Sequence, residues 1–98
     1  MIRRVSFCEE ARTEFDEALA FYTAERVSLG EAFVAAVESA TQRAQRHPES
    51  APVIRGRVRR MHVERFPFSV FYSLVDDSIR VLAVAHERRR PLYWSSRR

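Results

Sequence analysis

The hydrophobic period changes part-way along this chain, and that change limits the fold more than any other feature. Through residue 44 the apolar residues recur at intervals of three and four; from residue 58 they alternate with polar ones. The first period places one apolar stripe on a helix, the second one apolar face on a strand. A chain that runs through helices and then strands, with no strand–helix alternation after them, points to an α+β layer fold and argues against a doubly wound parallel sheet.

Ile2 to Phe7 is short, contains Ile, Val and Phe, and reads as a first strand. Ala11, Phe15, Ala18, Leu19 and Tyr22 then mark an amphipathic helix over residues 9–26, with Glu9 and Glu10 at its positive end. Ser6-x-x-Glu9 has the capping-box pattern, with Cys8 as the alternative cap, and Ser28-x-x-Glu31 repeats the pattern. The second helix runs through Phe33, Val37, Ala40 and Ala44 and closes before Pro48. With so short a link the pair forms an αα-hairpin.

Residues 47–57, with two prolines and a glycine, read as a loop. Met61 and Val63 alternate with Arg60, His62 and Glu64, a half-buried strand broken at Phe66-Pro67. Phe68–Val75 is the next strand, Asp76-Asp77-Ser78 a tight turn, and Ile79–His86 the last strand. Residues 87–98 form a basic and aromatic C-terminal segment. The expected order is β-α-α-β-β-β in one domain spanning residues 1–98: an antiparallel sheet with the αα-hairpin on one face and the other face free for arginines.

Composition narrows the setting. Hydrophobic residues at 46% and charged residues at 31% exclude wholesale disorder. The lone Cys8 cannot form an internal disulfide, which fits a reducing compartment and a small buried filler. The start of the chain has the charge of a signal peptide without its apolar core. No apolar run approaches the roughly 20 residues of a membrane span, so a cytoplasmic protein without membrane contact is expected. The three histidines and one cysteine lack a metal-ligand spacing, so neither a metal nor another cofactor is expected.

The net charge of +4 averages two unlike halves. Residues 1–50 hold 6 arginines and 9 acids; residues 51–98 hold 11 arginines and 4 acids, and lysine is absent throughout. A basic half suits an anionic partner such as nucleic acid or an acidic protein, though it also describes an unevenly charged solvated surface. Arg60, His62 and Glu64 share one strand face and could act as clamp, base and orienter, or form a cross-strand ladder of ion pairs. His86 could carry a proton or cap a strand edge. Arg88-Arg89-Arg90 could meet an anion or be merely solvated, while Tyr93 and Trp94 could stack on bases or pin the C-terminal segment to the domain.

Three stretches carry a family resemblance: Ala18-Leu19-Ala20-Phe21-Tyr22; Val58-Arg59-Arg60 with Arg65-Phe66-Pro67-Phe68 and Phe71-Tyr72; and Ile79 to His86 followed by Glu87-Arg88-Arg89-Arg90-Pro91. Together with the element order they resemble the RelE/ParE superfamily of toxins from bacterial type II toxin–antitoxin modules. The resemblance implies a growth-inhibiting toxin in a hetero-oligomeric complex with a cognate antitoxin encoded nearby. Its target is DNA gyrase for ParE-like members, or mRNA on the ribosome for RelE-like endonucleases, and a non-toxic binding module on the same scaffold is the third reading. A RelE-like nuclease would use Arg60, His62, His86, Arg88 or Arg89, and Tyr93. Ser69 stands where nuclease-like relatives carry a central arginine, and a hydroxyl cannot replace a fixed charge beside phosphate. The ParE-like reading, with no catalytic constellation, is therefore preferred, and Arg57, Arg60, Arg65, Arg88, Arg89 and Arg90 become candidate contacts to the target or to nucleic acid.

Overall fold

The computed structural model describes residues 3–98, so Ile2, where the first strand was expected to begin, lies outside the described residues. The elements are β1 (Val5–Phe7), α1 (Glu9–Glu25), α2 (Val27–Arg46), β2 (Val53–Arg55), β3 (Val58–Val63), β4 (Phe68–Val75) and β5 (Ser78–His86). They form one five-stranded sheet in the order β1-β5-β4-β3-β2 with the helical hairpin on one face. The sheet is antiparallel except at its β1 edge, where β1 runs parallel to β5. The parallel pairing follows from the connection: the helical hairpin brings the chain back to the end of the sheet where β1 stopped, and the antiparallel alternation of β2, β3, β4 and β5 then leaves β5 running in the direction of β1.

This parallel edge departs from the antiparallel sheet expected, and two further expectations change. The 47–57 loop contains the short strand β2, which pairs with β3 through a register shift between Val53 and Arg55. Neither capping box forms: Cys8 and Arg26 precede the helices in extended conformation without a side-chain cap. Ser28 instead lies inside α2, because the link between the helices is the single residue Arg26. The Arg26 N–H closes α1 on the Tyr22 carbonyl, and the Arg26 carbonyl accepts from the N–H groups of Leu29 and Gly30. One residue thus satisfies both helix ends, leaving no role for a serine cap. Asp76 and Asp77, at φ 49° and 65°, make the two-residue β4–β5 turn expected of a tight hairpin.

The core between helices and sheet is aromatic. Phe33, fully buried, meets Phe15, Tyr22, Phe66 and Phe68 at ring-centroid distances of 5.2–5.8 Å. Val63, Val70, Tyr72, Ile79, Val81 and Val84 supply the sheet side. Tyr72 is fully buried, yet its hydroxyl donates to the Pro48 carbonyl at 2.9 Å, which ties the 47–52 loop to the sheet. Helix crossing is close at Gly30, where an added Cβ would lie 2.1 Å from Thr23 Oγ1. The hairpin therefore sits tight on one face, and the chemistry-bearing residues fall on the other face and its margins.

Candidate functional site

Strand alternation sorts β3 into two sets. Met61 and Val63 pack toward the helices, while Val58 packs on the opposite face, placing Arg60 and His62 with it. Arg59, on the helix side, donates to the carbonyls of Glu49 and Ala51 and so staples the preceding loop. Across the open face His62 stands opposite Ser69, which stands opposite Ala85; Arg60 stands opposite Phe71, which stands opposite Ala83.

That open face is not wholly free. The two alanines leave room above β5, and the C-terminal segment fills it: Trp94, 2% exposed, packs on Ala83, Ala85 and Phe71, its ring 5.0 Å from the Phe71 ring. Of the two roles open to Tyr93 and Trp94 in the sequence, the packing is that of a pin. Between residues 89–94 and the sheet remains a groove of about 230 Å³ lined by Arg60, Ser69, Phe71, His86, Arg89 and Arg90, with Tyr93 also on its wall.

A carboxylate holds this segment down. Glu14 projects from α1 to the β5 edge beyond the end of β1, where the Val84 N–H has no neighbouring strand and donates to Glu14 Oε1 at 3.1 Å. Tyr93 OH donates to Glu14 Oε2 at 2.6 Å, and Arg97 donates to both carboxylate oxygens at 2.8 and 3.2 Å. Arg89 adds an ion pair at 3.7 Å, and its guanidinium lies 3.8 Å from the Tyr93 ring centroid. Burial pushes the Tyr93 phenol well above its usual range, and the hydrogen bond and charge of Glu14 push it further. Burial works against the Arg97 charge, but Glu14 outweighs it and holds that guanidinium above its ordinary value.

The residues singled out in the sequence are therefore only partly brought together. Arg60, His86, Arg89, Arg90 and Tyr93 border the groove; Arg57, His62, Arg65 and Arg88 do not line it. The Tyr93 proton points at Glu14 and not into the groove. The His86 ring packs edge-on against Phe68 at 5.2 Å, and its Nδ1 accepts the Arg88 N–H at 3.1 Å. The Arg60-His62-Glu64 triplet does not act as a unit. Glu64 lies past the end of β3 and pairs with Arg43 of α2 at 3.6 Å, and Arg43 also donates to the His62 carbonyl. Arg65 is exposed in the β3–β4 turn at φ 73°, and Cys8 is buried with its Sγ donating to the Leu82 carbonyl.

Glu14 and Arg97 were not singled out in the sequence. The signal for Glu14 was an acid set inside the apolar stripe of α1, between Ala11 and Ala18 and beside Phe15. Arg97 had no local signal, since its partner lies 83 residues away.

The family model that matches residues 5–91 is described as the ParE toxin of the type II toxin–antitoxin system, parDE. The chain belongs to the ParE toxin family. Among solved structures, a chain of the chromosomal ParDE toxin–antitoxin system from P. aeruginosa is similar at a TM-score of 0.72 and 20% identity, over 87% of this chain and 96% of that one. At that identity the likeness is one of fold. A comparison with curated proteins gives no match.

Proposed function

We propose that the chain is a growth-inhibiting toxin that acts by binding DNA gyrase and is held inactive by an antitoxin. The observation that carries the binding mode is Tyr93. The phenol that a RelE-like nuclease would use as an acid is committed to Glu14 and held proton-bound by burial. Around it, Ser69 lies on the groove where a nuclease would need a fixed cation, and His62 lies outside the groove. General acid–base chemistry needs its groups converging on one reacting atom, whereas a binding surface needs only shape and charge.

Arg57, Arg60, Arg65, Arg88 and Arg90 have no carboxylate partner among the described residues and are exposed. They suit an acidic antitoxin segment whose affinity falls with salt and is anchored by apolar contacts. A binding constant that does not change with salt would contradict the electrostatic part. The test of the target is a supercoiling and DNA-cleavage assay with gyrase and antitoxin-free protein. Loss of supercoiling or accumulation of cleaved DNA is expected; untouched gyrase together with cleavage of ribosome-bound mRNA would replace the reading by the endonuclease one.

A further inference from the structure

β2 ends the five-stranded sheet, and the groove opens beside it. The Arg60 N–H crosses to the start of β2 and donates to the Pro52 carbonyl at 3.1 Å, with Val53 opposite Arg59. Backbone groups of successive residues point to opposite sides of a strand, so the Val53 N–H and carbonyl face away from β3. All three residues of β2 are exposed, among them two large apolar side chains, Val53 at 50% and Ile54 at 39%. Ile54 lines the groove together with the apolar Phe71, Leu92 and Trp94, and Glu87 is the one acid on its wall. Residues 50–63 hold four arginines and no acid. Arg55 of β2 is exposed and, like Arg60 and Arg90, has no carboxylate partner among the described residues.

We infer that this edge takes up an extended acidic segment of the antitoxin as a sixth strand, with one apolar side chain of that segment seated in the groove. The inference rests on the reading that an antitoxin holds the chain inactive. In strand addition the backbone hydrogen bonds supply affinity and alternate side chains supply specificity. A residue paired beside Ile54 projects on the same face as Ile54, over a groove of about 230 Å³ that has room for one large apolar side chain. Acids on either side of that residue are favoured by Arg55, Arg60 and Arg90. Charge also selects the occupant and the edge. A second copy would lay one basic strand against another, and like charges facing each other across strands destabilise the pair. The opposite edge, β1, runs into exposed Glu9 and Glu10 at the start of α1, which repel an acidic segment. A nucleic acid would answer the arginines, but its backbone lacks the alternating donors and acceptors that match a strand edge.

The test uses the full chain with the antitoxin encoded beside it. Residue-resolved amide exchange by NMR reads the edge directly: the Val53 N–H exchanges freely in the unbound chain and slows by about tenfold or more in the complex. Val53→Pro removes that donor at a strand edge, where proline is tolerated, and weakens binding ~3–10-fold, the worth of one hydrogen bond. Val53→Thr keeps the N–H and binds like the parent. Ile54→Asp sets a carboxylate on the groove wall against the incoming acids and weakens binding by about tenfold or more. Trp94 emission checks the fold of each variant, and amide exchange in the parent reads the site even where Val53→Pro fails to fold. Three results would overturn the inference while the antitoxin still binds: Val53 exchange unchanged in the complex, Val53→Pro and Ile54→Asp both binding as tightly as the parent, or equal protection of Val53 by single-stranded DNA of mixed sequence. A parent chain that its antitoxin does not bind would overturn the antitoxin reading itself, and the inference with it.

Discussion

Removing the Glu14 carboxylate with Glu14→Ala should release the C-terminal segment and weaken the whole domain. The substitution strands three donors at once: the Val84 N–H, Tyr93 OH and the Arg97 guanidinium. The Glu14 and Arg97 side chains are only 11% and 13% exposed, so water replaces the lost acceptor poorly. Truncating one member of a buried pair costs about 3–5 kcal/mol; because these groups keep some solvent contact, the lower end applies, about 3 kcal/mol. At ~4–8 °C per kcal/mol for a domain of this size, Tm falls by about 12–24 °C. Trp94 is the single tryptophan and is 2% exposed, so its emission reports the segment directly. Thermal melts followed by that emission give the stability change, and acrylamide quenching below the transition shows whether the ring has become accessible. Arg12→Ala is the control: it breaks an exposed i,i+4 pair with Asp16, worth only a few tenths of a kcal/mol. A Glu14→Ala protein melting within about 3 °C of the parent, with Trp94 still shielded, would refute the reasoning.

The remaining predictions concern pH, packing and the exposed histidine. Burial raises the phenol pKa values of Tyr22, Tyr72 and, with Glu14, Tyr93. Their contribution to stability is whole below the unfolded value near 10 and falls as pH rises past it; alkaline unfolding curves should show that loss, and stability flat from pH 9 to 12 would contradict it. Gly30→Ala should destabilise by about 1–2 kcal/mol, although alanine normally favours a helix, because its Cβ would meet Thr23; a rise in Tm would show that the helices can part freely. Phe33→Ala empties the centre of the aromatic core and should cost about 3–5 kcal/mol, enough to leave much of the chain unfolded by circular dichroism. His62→Ala, at an exposed position, should change urea-denaturation stability by less than about 0.5 kcal/mol.

The periodicity made most of the fold legible. Phe33, Val37, Ala40 and Ala44 predicted the buried stripe of α2, and Met61 and Val63 the helix-facing side of β3. Features created by pairing were not legible. Val53-Ile54-Arg55, flanked by Pro52 and Gly56, is too short to show a period and is a strand only because β3 lies beside it. Ser28 and Glu31 spell a cap, but the one-residue link at Arg26 put Ser28 inside the helix. At the site, alternation placed Arg60 and His62 on one face, yet nothing local said that Glu64 would turn to Arg43. The covering of the open face depended on Trp94 folding back onto Ala83 and Ala85 and on Glu14 meeting Arg97, 83 residues away, contacts that no local pattern marks.

Action by binding and not by cutting is the central proposal, and growth arrest by a His62→Ala/His86→Ala double variant tests it most directly. Both side chains lie outside the buried core, so the variant should fold, which the Trp94 emission checks. Binding predicts growth arrest, on induction without antitoxin, equal to that of the parent chain. A folded double variant that leaves growth untouched while the parent arrests it would contradict the account and return the two histidines to catalysis.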